Sequence, residues 1–203
     1  MTDAIVCDLD DYCDAHAGWA LPLLDQLYQR SGERFKATLF AIPGRLCDEA
    51  LVDAAGRPYL EIAAHGWGHA LRECEHWTQE QTAEVLARCL AAGRQHEEDN
   101  PYYTAIFKAP YWVTSPGLYA GLLASNWAVA DHPQNLARIP RALRRYVLSP
   151  SHHIGAAHHV LPVIQAHGHF TNETGNGLRE CLGAFVALAE EGRPFKFVSE
   201  VLV

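Results

Sequence analysis

The chain has 203 residues, 49% of them hydrophobic and 20% charged, which suits a single domain over residues 1–203 and gives disorder little support. Its formal net charge is -8, and its one basic grouping, Arg141, Arg144 and Arg145, reads as a solvated helix face, so nucleic acid is not an expected partner. No apolar run is long enough to span a bilayer, and Met1-Thr2-Asp3 passes straight into strand-like residues without an export signal, so we expect no membrane partner and a cytoplasmic location.

In chain order, short β-branched or apolar runs predict strands at 4–9, 36–42, 59–63, 104–108, 126–130, 160–166 and 195–198, with helices filling most of the gaps. Residues 19–30 predict a helix with Pro22 in its first turn and Gly32 just past its end. A longer helix is expected at 78–97, where Ala83, Leu86, Cys89, Leu90 and Gly93 form a stripe and Thr78 with Gln81 resembles a capping box. A last helix follows Gly177, with Leu178, Cys181, Leu182, Phe185 and Leu188 on one face; residues 133–159 show no clear period. The six cysteines, Cys7, Cys13, Cys47, Cys74, Cys89 and Cys181, have no CxxC spacing, and several sit at apolar positions as buried reduced thiols do. About seven strands alternating with helices make an α/β domain, either a doubly wound sheet or a distorted (β/α) barrel; periodicity does not separate the two. In both, ligands bind at the carboxyl ends of the strands.

The residues able to carry chemistry gather at those ends. The first strand closes on Asp8-Leu9-Asp10-Asp11, and alternation points the last two carboxylates to different sides, one toward a metal and its neighbour toward a substrate water. A helix cap or loop carboxylate is the plainer reading of such a pair. The third strand closes on His65-Gly66-Trp67-Gly68-His69, whose two imidazoles share a face if the segment makes a helical turn, and whose glycines let the backbone bend around an ion. One aspartate and two histidines leave open positions, which suits a catalytic rather than a structural metal. The late strand ends in Gln165-Ala166-His167-Gly168-His169, and one of these imidazoles is a candidate general acid or, alternatively, a further metal-site or structural histidine. Lys108-Ala109-Pro110-Tyr111-Trp112 closes the fourth strand, where backbone amides after the proline could serve an oxyanion. His152, His153, His158 and His159 read as solvated loop residues and stay outside the site.

Taken in order, these segments resemble the polysaccharide deacetylase family, the NodB-homology or carbohydrate esterase family 4 domains. Asp10-Asp11 is similar to that family's first motif, Leu60 to His69 to its second, Lys36 to Phe40 to its second strand and Phe195 to Leu202 to its closing strand, so the resemblance runs nearly end to end. It implies a distorted (β/α) barrel with fewer than eight strands. It also implies a divalent metal, usually zinc, on Asp11, His65 and His69, with Asp10 as general base, His167 as general acid and the Tyr111 amide as oxyanion donor. Lys108 stands where the family has an arginine beside the base, and a point charge keeps Asp10 ionised without a bidentate clamp. Tyr12 replaces the glycine after the aspartate pair, and the fourth motif is matched only loosely, around Trp127 and Asp131.

The resulting expectation is a metal-dependent hydrolase that removes an acetyl or similar acyl group from an amide nitrogen of an amino sugar or small acetamido compound. Trp67, Pro110, Trp112, Trp127, Asp131 and His169 are expected to line the substrate pocket. Cobalt, nickel or manganese would suit the same ligands. The alternatives are hydrolysis of another non-peptide C-N bond, as in a cyclic imide or ureide, and a non-catalytic metal- or sugar-binding module.

Overall fold

The computed structural model describes residues 4–92, 102–148, 158–160, 163–170 and 192–203, together with Ala187 and Glu190. Strands and helices alternate: β1 (Ala4–Tyr12), α1 (Asp14–Arg30), β2 (Ala37–Ala41), α2 (Asp48–Ala55), β3 (Leu60–His65), α3 (Gln79–Ala91), β4 (Tyr103–Lys108), α4 (Pro116–Ala124), β5 (Ala128–Asp131), β6 (Arg145–Val147), β7 (His158–Val160), β8 (Val163–His169) and β9 (Phe195–Lys196). These strands join one sheet in the order β6-β5-β4-β3-β2-β1-β8-β7. The run from β6 to β8 is parallel throughout, β7 folds back antiparallel on β8, and β9 lies parallel to the start of β1.

The parallel strands curl into a distorted (β/α) half-barrel of the NodB type, and alternation divides its apolar residues into two cores. Ile5, Cys7 and Leu9 of β1, with Leu39, Ile62, Phe107 and Val129, face outward and pack with helix residues such as Leu24, Leu86 and Leu118. Val6, Phe40, Ala63, Ile106, Ala130 and Tyr146 face inward. Among the described residues the barrel does not close by strand pairing. Instead the Gln165 side chain of β8 donates to the Val147 carbonyl of β6 at 2.9 Å.

The C-terminal turn Val198–Val201 seals the amino-terminal mouth, its Val198 in the inner core. Val198 N–H donates to Thr38 Oγ1 (2.9 Å), and the Thr38 hydroxyl donates to Glu61 (2.7 Å). A second backbone pair, between Arg145 and Val203, ties the chain end to β6. With that end plugged, the carboxyl ends of the strands are the open mouth.

The elements depart from the sequence expectations in instructive places. Helix α1 begins at Asp14 rather than at 19, so Pro22 sits inside it and supplies no N–H for the Gly18 carbonyl. Its end is a Schellman turn: Gly32 N–H donates to Gln29 O and Glu33 N–H to Tyr28 O. Helix α3 starts on the expected capping box of Thr78 and Gln81 but leaves helical geometry at Ala92; Gly93 and the rest of the expected stretch lie outside the described residues. Its buried stripe is Thr82, Leu86 and Cys89, and Ala83 is exposed. The close partner is α4, where a side chain on Gly121 would come within 2.4 Å of Thr82 Cβ. The run expected at 160–166 is two strands, β7 and β8, and the segment without a clear period contributes β6 and part of β7. Three-residue strands are too short to show a period. The expected helix after Gly177 falls outside the described residues apart from Ala187 and Glu190, as do His152 and His153.

Candidate active site

Strand alternation puts Asp8 and Asp10 on the inner face of β1, His65 on β3, Lys108 on β4, and His167 and His169 on β8, all toward the open mouth. Asp11 would be expected to point away. It does not, because β1 carries a bulge there: pairing with β2 passes from Asp10↔Phe40 directly to Tyr12↔Ala41, and Asp11 has φ 72°. Aspartate tolerates that left-handed conformation better than most residues. The bulge corrects the expectation from alternation and brings both carboxylates to one imidazole, with Asp11 Oδ1 3.5 Å and Asp10 Oδ2 3.9 Å from His65 Nε2. It also sends Tyr12 outward into the core against Phe170, with ring centroids 5.4 Å apart. His16, to which the sequence reading assigned nothing, holds the bulge by donating from Nδ1 to the Asp11 carbonyl at 2.8 Å.

The segment from His65 to His69 is a tight loop and not the helical turn expected. Gly66 has φ 64° and His69 φ 58°. A side chain at Gly66 would meet Glu73 Oε2 and Pro110 Cγ, each at 2.6 Å. The loop wraps the Glu73 carboxylate, which accepts the N–H groups of Trp67, Gly68 and His69, each at 2.9 Å. Glu73 is thus a site residue the sequence did not reveal. His65 donates from Nδ1 to the Lys108 carbonyl at 3.1 Å, which turns its Nε2 lone pair to the mouth. His69 Nε2 lies 2.9 Å from Asp11 Oδ1.

Beside this cluster sits a buried charge network. Lys108, 0% exposed, donates to Asp8 Oδ2 at 2.8 Å and to Asp10 Oδ1 at 2.7 Å. Its ammonium also lies 4.6 Å from the Phe40 ring centroid and 4.8 Å from that of Trp112. Asp8, like His16 and Glu73, has no role in the sequence expectations; its position two before Asp10 on one strand face was the available signal. Its Oδ2 also accepts from His167 Nδ1 at 2.7 Å. Burial pushes the Asp8 and Asp10 carboxyls up, but Lys108 and the neighbouring imidazoles outweigh it and hold both below the usual carboxylate range. Burial depresses Lys108, and the two carboxylates more than restore it. All three groups stay charged at neutral pH. His169 reaches Asp11 Oδ2 with Nδ1 at 3.0 Å and His167 Nε2 with Nε2, also at 3.0 Å.

The remaining expected pocket residues divide. Tyr111 is 52% exposed with its ring 5.1 Å from that of His69, and Trp112 stands half-buried beside Lys108, so both flank the mouth. Pro110 backs the loop at Gly66. Trp67 is half-buried under the Arg88 guanidinium, 3.7 Å from its ring centroid. Trp127 is corrected outright: it is 2% exposed in the outer core, because it shares the parity of Val129 and faces the helices. Asp131 is also no pocket residue. It is buried and accepts from Tyr119 Oη (2.8 Å), His132 N (2.7 Å) and Asn135 Nδ2 (2.8 Å). Because Asn135 Nδ2 also donates to the Trp112 carbonyl (2.9 Å), Asp131 braces the Trp112 turn from behind.

Asp11, His65 and His69 each offer a donor atom within 4.8 Å of the others, as do Asp10, His167 and His169. Ligands on a tetrahedral zinc with arms near 2.1 Å are about 3.4 Å apart. The 3.5 Å and 2.9 Å separations from Asp11 Oδ1 to His65 and His69 bracket that value, so the donor set fits a divalent ion.

The strands form a curled parallel half-barrel of the NodB type, with an Asp-His-His cluster and a buried charge network at its open mouth. Solved structures show the same fold. A family 4 acetyl xylan esterase from Clostridium thermocellum, in complex with a cobalt ion, superposes with a TM-score of 0.63 at 17% identity, over 97% of this chain and 89% of that one. A peptidoglycan deacetylase from Bacillus subtilis gives 0.62 at 16%, over 98% and 89%. A family 4 pseudoenzyme from Bacillus anthracis gives 0.61 at 14%, over 98% and 65%. No protein-family model matches the sequence, and no curated protein does. The chain therefore has the carbohydrate esterase family 4, NodB-like fold, at low overall sequence identity.

Proposed function

We propose that this protein is a divalent-metal-dependent hydrolase that removes an acetyl or similar acyl group from an amide nitrogen, on an amino sugar, an oligosaccharide or a small acetamido compound. The observation that carries the reading is the adjacency of the two clusters: Asp11, His65 and His69 within metal-binding reach of one another, and Asp10 with His167 beside them. A divalent ion on the first cluster, zinc by preference, would supply Lewis acidity for water and for the acyl carbonyl. Asp10, kept ionised by Lys108, accepts the proton of the attacking water. His167, its Nδ1 hydrogen held by Asp8, delivers a proton from Nε2 to the departing amine. The Tyr111 backbone amide serves the oxyanion, with Tyr111 and Trp112 as walls.

The net charge of -8 speaks against nucleic acid, and among the described residues no helix is long and apolar enough to cross a membrane. Among the described residues five cysteines form no disulfide and four of them are buried, which favours a reducing, cytoplasmic setting and a small substrate.

The test is elemental analysis of the purified chain with Asp11→Ala and His65→Ala, followed by acetate release from N-acetylated sugars and small acetamides. About one tightly held equivalent, lost in both variants, together with acetate release abolished by Asp10→Asn, is expected. Metal binding without turnover of any C-N substrate would turn the reading to a binding module; turnover of cyclic imides or ureides alone would move it to that chemistry.

A further inference from the structure

The two imidazoles at the end of β8 meet through their Nε2 atoms at 3.0 Å, while each commits its other nitrogen to a carboxylate, His167 to Asp8 at 2.7 Å and His169 to Asp11 at 3.0 Å. An ionised carboxylate only accepts, so both Nδ1 atoms carry the hydrogen, and the two Nε2 atoms are the nitrogens turned toward each other. At this spacing they are joined by a proton on one of them or by a cation bound to both. A third donor stands ready, since Asp10 Oδ2 is 3.9 Å from His167 Nε2, and donor atoms of Asp10, His167 and His169 all fall within 4.8 Å of one another. Two nitrogens on one ion with arms near 2.1 Å lie about 3.0–3.4 Å apart, so the imidazole spacing suits chelation.

We propose that Asp10, His167 and His169 form a second divalent-cation site, weaker than that of Asp11, His65 and His69, whose occupation stops hydrolysis. The inference rests on the hydrolase reading above. Charge makes the site weaker: the ammonium of Lys108, bonded to Asp8 and Asp10, together with a single divalent ion on the first cluster already balances the three carboxylates Asp8, Asp10 and Asp11. Lys108 Nζ, 2.7 Å from Asp10 Oδ1, repels a second ion further. Inhibition follows from the residues used, because a cation on Asp10 Oδ2 and His167 Nε2 takes the base and the acid out of proton transfer together. The surplus metal acts as a regulator of the same mouth.

The experiment is equilibrium dialysis of the full chain against rising free zinc, with bound zinc per chain measured for the wild type, His169→Asn, Asp10→Asn and His65→Ala, and folding checked by circular dichroism. The wild type is expected to take up about two equivalents, the second at higher zinc, while folded His169→Asn or Asp10→Asn stops at about one. Acetate release by the wild type should rise with the first equivalent and fall with the second. Saturation of the wild type at about one equivalent, as a proton shared between the imidazoles would produce, overturns the second site; so does a folded His169→Asn that still binds two. If the single equivalent is lost in His65→Ala, the hydrolase reading survives that failure, whereas absence of any bound zinc in the wild type removes both.

Discussion

Asp8 and His167 meet at 2.7 Å, Oδ2 to Nδ1, with both side chains buried. The pair fixes which imidazole nitrogen carries hydrogen and aims Nε2 at the mouth. Asp8→Asn keeps the shape but presents an amide, which no longer selects that tautomer. We expect kcat to drop by about 10²–10⁴ with bound metal retained, because the change acts on proton delivery and not on Asp11, His65 or His69. Steady-state kinetics with metal analysis on the same sample decides it; loss of metal in parallel with activity would show that Asp8 supports the ligands instead.

Asp8 also gives stability a pH dependence. Its carboxyl is held below its unfolded value, so its contribution is complete above the ordinary carboxylate pKa of about 3.9 and is lost as pH falls toward the folded value. The gap in unfolding free energy between wild type and Asp8→Asn should therefore be widest near neutrality and shrink below about pH 4. Urea unfolding at pH 7, 5 and 3 measures this, and a gap that widens on acidification would refute it.

Lys108 neutralises two buried carboxylates from a position with no exposure. Lys108→Met leaves Asp8 and Asp10 without their ammonium and should cost about 3–5 kcal/mol, the range for breaking a buried pair from one side. Lys108→Arg keeps the charge but adds volume between Phe40 and Trp112, at about 1–3 kcal/mol for overpacking. Denaturant midpoints rank the two, and a Met variant as stable as the wild type would mean that the network is not held by this cation.

Glu73 touches no reacting group, yet three amides of the His65–His69 loop converge on it. Glu73→Gln turns one of its oxygens into a donor facing N–H groups. Metal affinity should weaken by about 10–100-fold, as for other residues that orient ligands, with secondary structure intact. Competition with a chromogenic chelator reads the affinity. An unchanged dissociation constant would assign the loop geometry to Gly66 and Pro110 alone.

What could be read from the chain without its fold is what depends on neighbours in sequence. The Thr78–Gln81 capping box and the alternation of inner and outer residues along β1, β3 and β4 are short-range properties, set by helical or strand repeat. From them followed the α/β class, seven of the nine described strands in approximate position and the end of the sheet where Asp10, His65, Lys108 and His167 gather. The barrel itself came from motif order, since a period of two is the same in a flat sheet and a curled one.

Tertiary structure decided the rest. A bulge whose cause lies partly in His16 and the β2 register turned Asp11 toward His65, against strict alternation. Curling the sheet brought Asp8 within reach of Lys108, 100 residues away, while the pairing of β1 with β8 set it opposite His167, 159 away. Which face of β5 is the inner one was also set there, so that Trp127 packs in the outer core and Asp131 lies behind the Trp112 turn, away from the mouth. Sequence determined which side chains could reach the carboxyl end of the sheet, because strand geometry is local. Which of them meet was settled by curvature and register, which arise from packing across the whole sheet and leave no period along the chain.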